Sequence, residues 1–278
     1  MIPAESEPQV RTGATPSPRE LEAFFLQKHG KPETVGWAPR RRFRFGYFLP
    51  MDVYELVVGK CVDPGCNWLD VGGGRAIFPE NPRLARELVS RCEKVVAVDP
   101  SDNVQRNDFV HERHQLMLQD FEAREQFDLA TMQMVVEHVD QPESFVDALA
   151  RLVKPGGTVV VFTVNRWSPL TLISWLVPFR FHHPIKHFFW GGEEEDTFPV
   201  AYRMNTRRTL SRLFGRSGFD EVDFLRLDDL STFGGFKVMN LVELAAWSAL
   251  KAVGLGYPEN CLLGVYRRRA VDSTPDLS

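Results

Sequence analysis

Three consecutive glycines directly after a short apolar stretch constrain the fold of this 278-residue chain more than any other feature. Residues 68–71 have the pattern of a buried strand, and Gly72, Gly73 and Gly74 follow without a gap. Glycine has no Cβ, so the backbone can turn sharply here and pass close to a ligand. A glycine turn after a first strand is typical of a nucleotide-binding site, although the motif alone is weak evidence.

Further strands follow the glycine turn at the spacing of an α/β fold. Residues 94–98 are apolar and end in Asp99, the position at which a doubly wound sheet carries the acid that accepts ribose hydroxyls. Residues 127–132 and 157–162 predict two more strands, with the turn 154–157 leading into the second. We therefore expect an α/β domain.

In this order, the elements resemble the class I S-adenosylmethionine-dependent methyltransferases over residues 50–165. The resemblance rests on five segments: the glycine loop 69–74, the strand end 98–99, the fourth strand 127–129, the segment 136–139 after it and the turn 152–157. In character the chain is nearest to methyltransferases of quinone precursors, natural products and lipid-linked sugars. The family implies a seven-stranded, mostly parallel sheet with helices on both faces. Its C-terminal antiparallel strand pair falls at residues 221–227 and 260–267.

The resemblance also implies S-adenosylmethionine as the cofactor. The implied cofactor residues are Asp70, Gly72, Gly73, Gly74, Asp99, Asp120, Phe121 and Met134. Asp99 is expected to accept the ribose hydroxyls, and Met134 to lie near the methionine portion. Asp120, after a predicted third strand at 115–118, is expected to bond the adenine amino group with Phe121 beside the ring. A turn cap is the alternative role for Asp120.

His138 is the candidate catalytic residue. A histidine side chain titrates near neutral pH by type, so it can take a proton from a hydroxyl during methyl transfer. A structural histidine that bonds a neighbouring loop is the alternative. Because the sulfonium methyl is already activated, alignment of the acceptor can supply much of the catalysis without any base.

The sequence predicts no metal site. Related methyltransferases hold a divalent metal with carboxylates and a histidine after the fourth strand, but one of those carboxylates is replaced here by Met134, and a thioether is a poor ligand for a hard cation. A second histidine and carboxylate cluster consists of His182, His183 and His187 with the acidic run 193–196. We interpret that run as a solvated loop.

Outside the shared core, we expect a disordered tail over residues 1–16 and one domain over 17–278 with two insertions. Residues 166–205 form an aromatic lid after the fifth strand, where open α/β sheets place their ligand crevice. Within the lid, Trp167, Tyr202 and Arg203 are the predicted substrate contacts. The aromatic, apolar composition of the lid favours a small lipophilic acceptor, and we expect methylation at oxygen.

The second insertion, residues 231–258, contains an apolar helix at 238–253 whose polar residues fall in one arc. The helix is too short to span a bilayer, so it is expected to lie on a membrane, pair with a second subunit in a homodimer, or be covered by the lid. Burial within the fold is the alternative. A separate segment, 40–45, mixes arginines with aromatics, a pattern that suits an anionic headgroup or phosphate but also a solvated basic loop.

Composition excludes some partners. A formal net charge of -4 and a pI near 6.0 give no general attraction to phosphate backbones, so we predict no nucleic-acid partner. Four cysteines without Cys-x-x-Cys spacing indicate reduced, structural thiols. The sequence shows no leader-like or membrane-spanning stretch, so we expect a cytoplasmic protein. Peripheral contact with a membrane is the alternative.

Two rival functions stay open on the sequence. A nicotinamide-dependent oxidoreductase shares the glycine turn and Asp99, but does not account for the segment 136–138 or a terminal antiparallel strand pair. A non-catalytic protein that keeps the fold is the other, since Ala76 replaces a third glycine of many relatives. Prolines in 78–82 also delay the next helix to about Pro82.

Overall fold

The computed structural model describes residues 13–176 and 199–270. Its helices are α1 Pro18–His29, α2 Trp37–Phe45, α3 Pro50–Cys61, α4 Pro82–Val89, α5 Pro142–Leu152, α6 Pro169–Leu176, α7 Arg207–Arg216 and α8 Lys237–Ala252. Its strands are β1 Asn67–Val71, β2 Lys94–Val98, β3 Glu112–His114, β4 Phe127–Gln133, β5 Val153–Val164, β6 Phe219–Asp228 and β7 Asn260–Arg268.

The strands form one seven-stranded sheet in the order β3-β2-β1-β4-β5-β7-β6. The first five are parallel, and β7 inserts antiparallel between β5 and β6. This confirms the expected sheet and its terminal antiparallel pair. Because β1, β2, β4 and β5 are parallel, their carboxyl ends meet at one edge of the sheet.

Helices cover both faces of the sheet. Successive side chains of a strand point to opposite faces, and β1 shows this directly. Leu69 belongs to a buried cluster with Phe145 of α5 and Phe214 of α7. Its neighbour Trp68 belongs to a second cluster with Tyr54 of α3. The core is therefore two apolar layers separated by the sheet.

The N-terminal helix is joined to the core by buried charge. The predicted capping box is present, since Ser17 Oγ accepts from the Glu20 amide at 3.3 Å and Glu20 Oε2 accepts from the Ser17 amide at 2.7 Å. At the other end of α1, Lys28 Nζ donates to Asp52 at 2.8 Å and to Glu55 at 2.9 Å, both on α3. These bonds fix α1 against α3.

The third strand lies earlier than predicted. Residues 112–114, not 115–118, pair with residues 96–98 of β2. Leu118 instead begins a short 3-10 helix, Leu118–Asp120, and its side chain is buried in the cluster beneath α5. The apolar run was misread as a strand because apolar content alone does not distinguish a short strand from a buried turn.

Residues 37–45 form a helix, which the sequence reading as a basic loop missed. The helix α2 ends at Gly46, whose φ of 64° lies in the left-handed region that favours glycine. Its four arginines are compatible with helix because long unbranched side chains lose little freedom there.

The two ends of the predicted disordered tail differ. Residues 1–12 lie outside the described part of the chain, whereas the Thr15 amide donates to Asp223 Oδ2 of β6 at 2.6 Å. Thr15 is therefore bound to the domain. Residues 177–198 of the predicted lid, with the cluster His182, His183, His187 and 193–196, also lie outside the described residues.

Candidate active site

The glycine loop occupies the carboxyl end of β1. Gly72 has a φ of 70°, and a Cβ built there would lie 2.2 Å from Val135 Cγ2, in the segment after β4. The Gly72 amide donates to the Val98 carbonyl of β2 at 2.8 Å. A side chain at this position would separate the loop from β4, so only glycine fits.

Gly73 is held from both sides. A Cβ at Gly73 would lie 2.8 Å from Ala97 Cβ and 3.0 Å from Asp70 Oδ2. Its carbonyl accepts from Nδ2 of Asn107 at 2.9 Å, and Asn107 is fully buried. Sequence reasoning missed Asn107, since nothing in its local pattern separates it from a turn residue.

Asp99 connects β2 to the glycine loop. Its Oδ2 accepts from the Gly74 amide at 3.0 Å, and its Oδ1 accepts from the Ser101 amide at 2.8 Å. The side chain is 8% exposed at the carboxyl edge of the sheet. Each carboxylate oxygen has two lone pairs, so Asp99 keeps acceptor capacity for ligand hydroxyls.

Asp70 lies beneath the same loop. Its Oδ1 accepts from Thr131 Oγ1 at 3.1 Å, and Oδ2 has no hydrogen-bond partner among the described residues. Thr131 in turn accepts from Trp68 Nε1 at 2.8 Å. Burial, and then the neighbouring charge of Asp99, raise the pKa of Asp70 to about 7. A proton can therefore be held under the glycine loop at neutral pH.

The chain turns sharply as it leaves β4. Met134 has a φ of 52°, a left-handed conformation that costs a non-glycine residue about 1 kcal/mol or more. Its amide donates to the Phe162 carbonyl of β5 at 2.8 Å. This turn brings Val135 against Gly72 of the glycine loop.

Glu137 lies at the centre of a buried polar network that the sequence did not identify. Its Oε2 accepts from Thr163 Oγ1 at 2.7 Å, and the same hydroxyl accepts from Asn205 Nδ2 at 2.7 Å. Burial raises the pKa of the Glu137 carboxyl. The network joins the segment after β4, the end of β5 and the segment before α7. The sequence signal that could have revealed Glu137 is an acidic residue in a segment bounded by the apolar Val136 and Val139.

The return segment 199–205 is bound to the same turn. The amides of Ala201 and Tyr202 donate to the Glu137 carbonyl at 2.7 and 3.0 Å. Nδ1 of His138 lies 3.0 Å from the Pro199 carbonyl, and Tyr202 has a φ of 49°. Among the described residues, Met134 and Tyr202 are the two non-glycine residues with positive φ, so backbone strain is concentrated where these segments meet.

The other two substrate candidates differ in their surroundings. Trp167 follows β5 and is 65% exposed, with its amide bonded to Asn165 Oδ1 at 3.1 Å. The Arg203 guanidinium forms an ion pair with the Asp140 carboxylate at 2.9 Å and donates to the Asp140 backbone carbonyl at 2.8 Å. Trp167 thus presents an aromatic surface, whereas Arg203 anchors the return segment to the turn after β4.

The structure does not bring Asp120 and Phe121 to the glycine loop. Arg151, near the end of α5, donates to the carbonyl of Phe121 at 3.0 Å, and α5 ends at the amino edge of the sheet, where β5 begins. Asp120 is exposed beside Arg151. The Phe121 ring is buried, with its centroid 4.8 Å from that of His114. The cause is the position of the third strand. Because β3 ends at His114, and not at residue 118 as predicted, Asp120 and Phe121 do not follow directly after it.

The helix after the glycines begins late, near Pro82, as predicted. Ile77 and Phe78 are buried, and α4 begins only at Pro82, where Asn81 caps it by accepting from the Leu84 amide at 3.3 Å. The positive end of the α4 dipole is therefore separated from the glycine loop by a buried turn.

The residues after β4 do not suit a divalent metal. The Glu137 carboxyl is bonded to Thr163, and Met134 supplies a thioether. Within residues 13–176 and 199–270 the side chains form no group of three or more His, Cys, Asp or Glu that could hold a metal ion.

Strand order, glycine loop and the acid after β2 define a class I S-adenosylmethionine-dependent methyltransferase. The family model described as Methyltransferase domain matches residues 22–223. The chain therefore belongs to this family.

Curated relatives are similar over part of their length. The chain is 32% identical over 159 residues to Ubiquinone biosynthesis O-methyltransferase of Leptothrix cholodnii, covering 54% of this chain and 64% of that protein. The protein of the same name from Erwinia tasmaniensis is 33% identical over 144 residues, with 45% and 56% covered. The chain thus spans less than two thirds of the length of these relatives.

Solved structures with a similar chain trace are more distant in sequence. N-methyltransferase NodS from Bradyrhizobium japonicum WM9 in complex with S-adenosyl-L-homocysteine is 14% identical, with 90% of this chain and 97% of that chain covered and a TM-score of 0.44. The cyclopropane synthase MmaA2 from Mycobacterium tuberculosis is 14% identical, with 91% and 99% covered and a TM-score of 0.47.

Proposed function

We propose that this protein transfers a methyl group from S-adenosylmethionine to a small lipophilic acceptor, at oxygen. The observation that carries the proposal is the edge formed by Asp70, Gly72–Gly74 and Asp99 in a methyltransferase-family chain. The name of the curated relatives, Ubiquinone biosynthesis O-methyltransferase, supports oxygen as the methylated atom and a quinone precursor as the acceptor class.

In the proposed mechanism the bound cofactor supplies an activated methyl on a sulfonium. Asp99 binds the ribose hydroxyls, and the glycine loop lets the backbone approach the cofactor closely. The network of Glu137, Thr163 and Asn205 holds the turn after β4 in place over that loop. Orientation of the acceptor oxygen in line with the methyl is then the main source of rate.

His138 acts as the general base in this proposal. The Pro199 carbonyl can only accept, so the neutral ring donates from Nδ1 and its lone pair resides on Nε2. The Nε2 lone pair can take the proton of an acceptor hydroxyl as the methyl is transferred.

The test is methyl transfer to catechols that carry an alkyl or isoprenoid tail. We expect His138→Ala to lower kcat by roughly a hundredfold or more while the affinity for S-adenosylhomocysteine stays unchanged. His114→Ala, at the end of β3, is the matched control and should retain activity. Full turnover in His138→Ala would exclude the general-base role.

The rival functions make different demands on the same site. A nicotinamide-dependent oxidoreductase gives no reason for β7 to insert antiparallel between β5 and β6. A non-catalytic protein with this fold is separated from an enzyme by titration with the cofactor, which it would not bind, and by methyl transfer.

We also propose that the exposed side of α8 makes contact with a membrane surface or with a second copy of the chain. Support comes from Val238, Val242 and Val253, which are 75%, 63% and 69% exposed. Within residues 13–176 and 199–270, none of the helices has the length and apolar character needed to cross a bilayer, so contact with lipid would be at its surface.

A further inference from the structure

Two cysteines lie in contact at the amino edge of the sheet. Cys66 immediately precedes β1 and Cys92 follows α4, and their Sγ atoms are 3.4 Å apart. The Cys92 Sγ also lies 3.3 Å from the Leu88 carbonyl of α4, a contact that orients its side chain. Among the residues that the structure describes, which include all four cysteines of the chain, no disulfide is formed. The two thiols are therefore neighbours in their reduced form.

Backbone hydrogen bonds on both sides of the pair hold the two segments together. The Gly65 amide donates to the Arg91 carbonyl at 2.7 Å, and the Glu93 amide donates to the Cys66 carbonyl at 3.1 Å. Chains paired in this way lie about 5 Å apart, within the range of about 4.4 to 6.8 Å between Cα atoms that a disulfide bridges. The sulfurs of a disulfide are about 2.05 Å apart, so a side-chain movement of about 1.4 Å closes the bond.

The contact also gives the two thiols different reactivities. The hydrogen bond with Cys92 lowers the pKa of the Cys66 thiol, and the same bond raises the pKa of the Cys92 thiol. Cys66 is therefore the first to become a thiolate, the form that attacks oxidants. Cys66 is 6% exposed and Cys92 is partly exposed. Their neighbours Gly65 and Arg91 are exposed, so a molecule as small as a peroxide has a short path to the sulfurs.

We propose that Cys66 and Cys92 are a reversible disulfide site that hydroperoxides close. The Cys66 thiolate attacks a peroxide oxygen: a sulfur–oxygen bond forms, the oxygen–oxygen bond breaks, and the hydroxide that leaves takes up the thiol proton as water. The Cys92 sulfur then displaces the hydroxyl group from the Cys66 sulfenic acid, which forms the sulfur–sulfur bond and releases a second water with the Cys92 proton. The two thiols are oxidised, and one peroxide is reduced.

The disulfide closes a ring around the glycine loop. The ring runs from residue 66 to residue 92 and contains β1, the loop Gly72–Gly74, the buried turn after it and the whole of α4. A cross-link of this kind restricts the unfolded chain and so favours the folded state. The sulfurs lie at the amino edge of the sheet, and Asp99 and the glycines lie at the carboxyl edge. The cross-link therefore stabilises the cofactor-binding segment from the edge opposite to the site.

Peptide mapping of the peroxide-treated protein tests the site. Trypsin cleaves after Lys and Arg, so Cys66 falls in the peptide 61–75 together with Cys61, and Cys92 falls in the peptide 92–94. Folded wild-type protein treated with hydrogen peroxide should yield these two peptides linked, and dithiothreitol should separate them. The link should be lost in Cys66→Ser and in Cys92→Ser and kept in the matched control Cys61→Ser. Oxidation in denaturing urea should remove the preference for this pair.

Thermal unfolding tests the effect of the cross-link. Oxidised wild type should unfold about 5 °C or more above the reduced protein, because the ring restricts the unfolded chain. Cys92→Ser, which cannot form the bond, should show no such increase after the same treatment. Equal unfolding temperatures of oxidised and reduced wild type, with the linked peptides present, would refute the stabilising role.

Three results of the mapping would overturn the disulfide site. Sulfinic or sulfonic acid on either cysteine without linked peptides would show that the two sulfurs do not meet. Unmodified thiols after treatment would show that the oxidant does not reach the pair. A link that persists in Cys66→Ser and is lost in Cys61→Ser would assign the bond to Cys61 instead.

Discussion

The buried carboxyl of Asp70 offers a direct test of the electrostatics under the glycine loop. Asp70 is 4% exposed, with one oxygen bonded to Thr131 and the other without a partner among the described residues. Desolvation disfavours the charged form, and Asp99 adds repulsion, which together raise the pKa of Asp70 from 3.8 to about 7. Asp70→Asn replaces this titrating group with an amide that is neutral at every pH.

The sign and size of the effect follow from linkage. Because the folded-state pKa is raised, the folded protein keeps a proton that the unfolded chain loses above pH 3.8. The stabilisation from protonated Asp70 is complete below pH 3.8 and is lost as the pH rises through about 7. The loss is on the order of 4 kcal/mol, at 1.36 kcal/mol per pH unit.

Urea unfolding of the two proteins from about pH 4 to about pH 8 measures this effect. The free energy of unfolding of Asp70→Asn relative to wild type should increase by that amount across the range and level off above neutral pH. The cost of burying the amide is the same at every pH, so the pH dependence is the readout. Asp102→Asn, at an exposed acid, should show no such trend. A difference between Asp70→Asn and wild type that does not change with pH would refute the argument.

Two loop substitutions give further expected outcomes. Gly72→Ala should lower the free energy of unfolding by about 2 to 4 kcal/mol and abolish cofactor binding, because it combines a positive φ with a Cβ 2.2 Å from Val135. Gly156→Ala is the control: its φ is similar but the space around it is open, so it should lower the free energy of unfolding by about 1 kcal/mol and bind the cofactor normally. Equal losses in thermal unfolding would contradict this. Asn107→Ala removes the bond to the Gly73 carbonyl and should cost about 1 to 3 kcal/mol and weaken binding of S-adenosylhomocysteine by calorimetry; unchanged affinity would show that this bond does not shape the loop.

The sheet and the glycine loop were predictable because their signals are local. A glycine run directly after an apolar strand has few conformations that keep the strand buried, and parallel strands bring their carboxyl ends to one edge. The placement of Gly72 and Asp99 at that edge follows from these two facts.

The rest of the site depends on contacts that have no local signature. Glu137 meets Thr163, and through Thr163 is linked to Asn205, only once β5 and the segment before α7 are both in place. The position of Asp120 depended on strand register, and the apolar run at 115–118 gave no information on whether pairing begins there or at Glu112. The burial of Glu243 on α8 was likewise not predictable, because this acid is bonded to Tyr257, which lies beyond the helix.

Calorimetric titration with S-adenosylhomocysteine tests the central claim most directly, with wild type, Asp99→Ala and the exposed-acid control Asp102→Ala compared. The account predicts a dissociation constant on the order of micromolar for wild type and for Asp102→Ala, and at least tenfold weaker binding for Asp99→Ala, which loses a charged acceptor for ribose hydroxyls. No binding to the folded wild-type protein, or equal binding by Asp99→Ala, would contradict it.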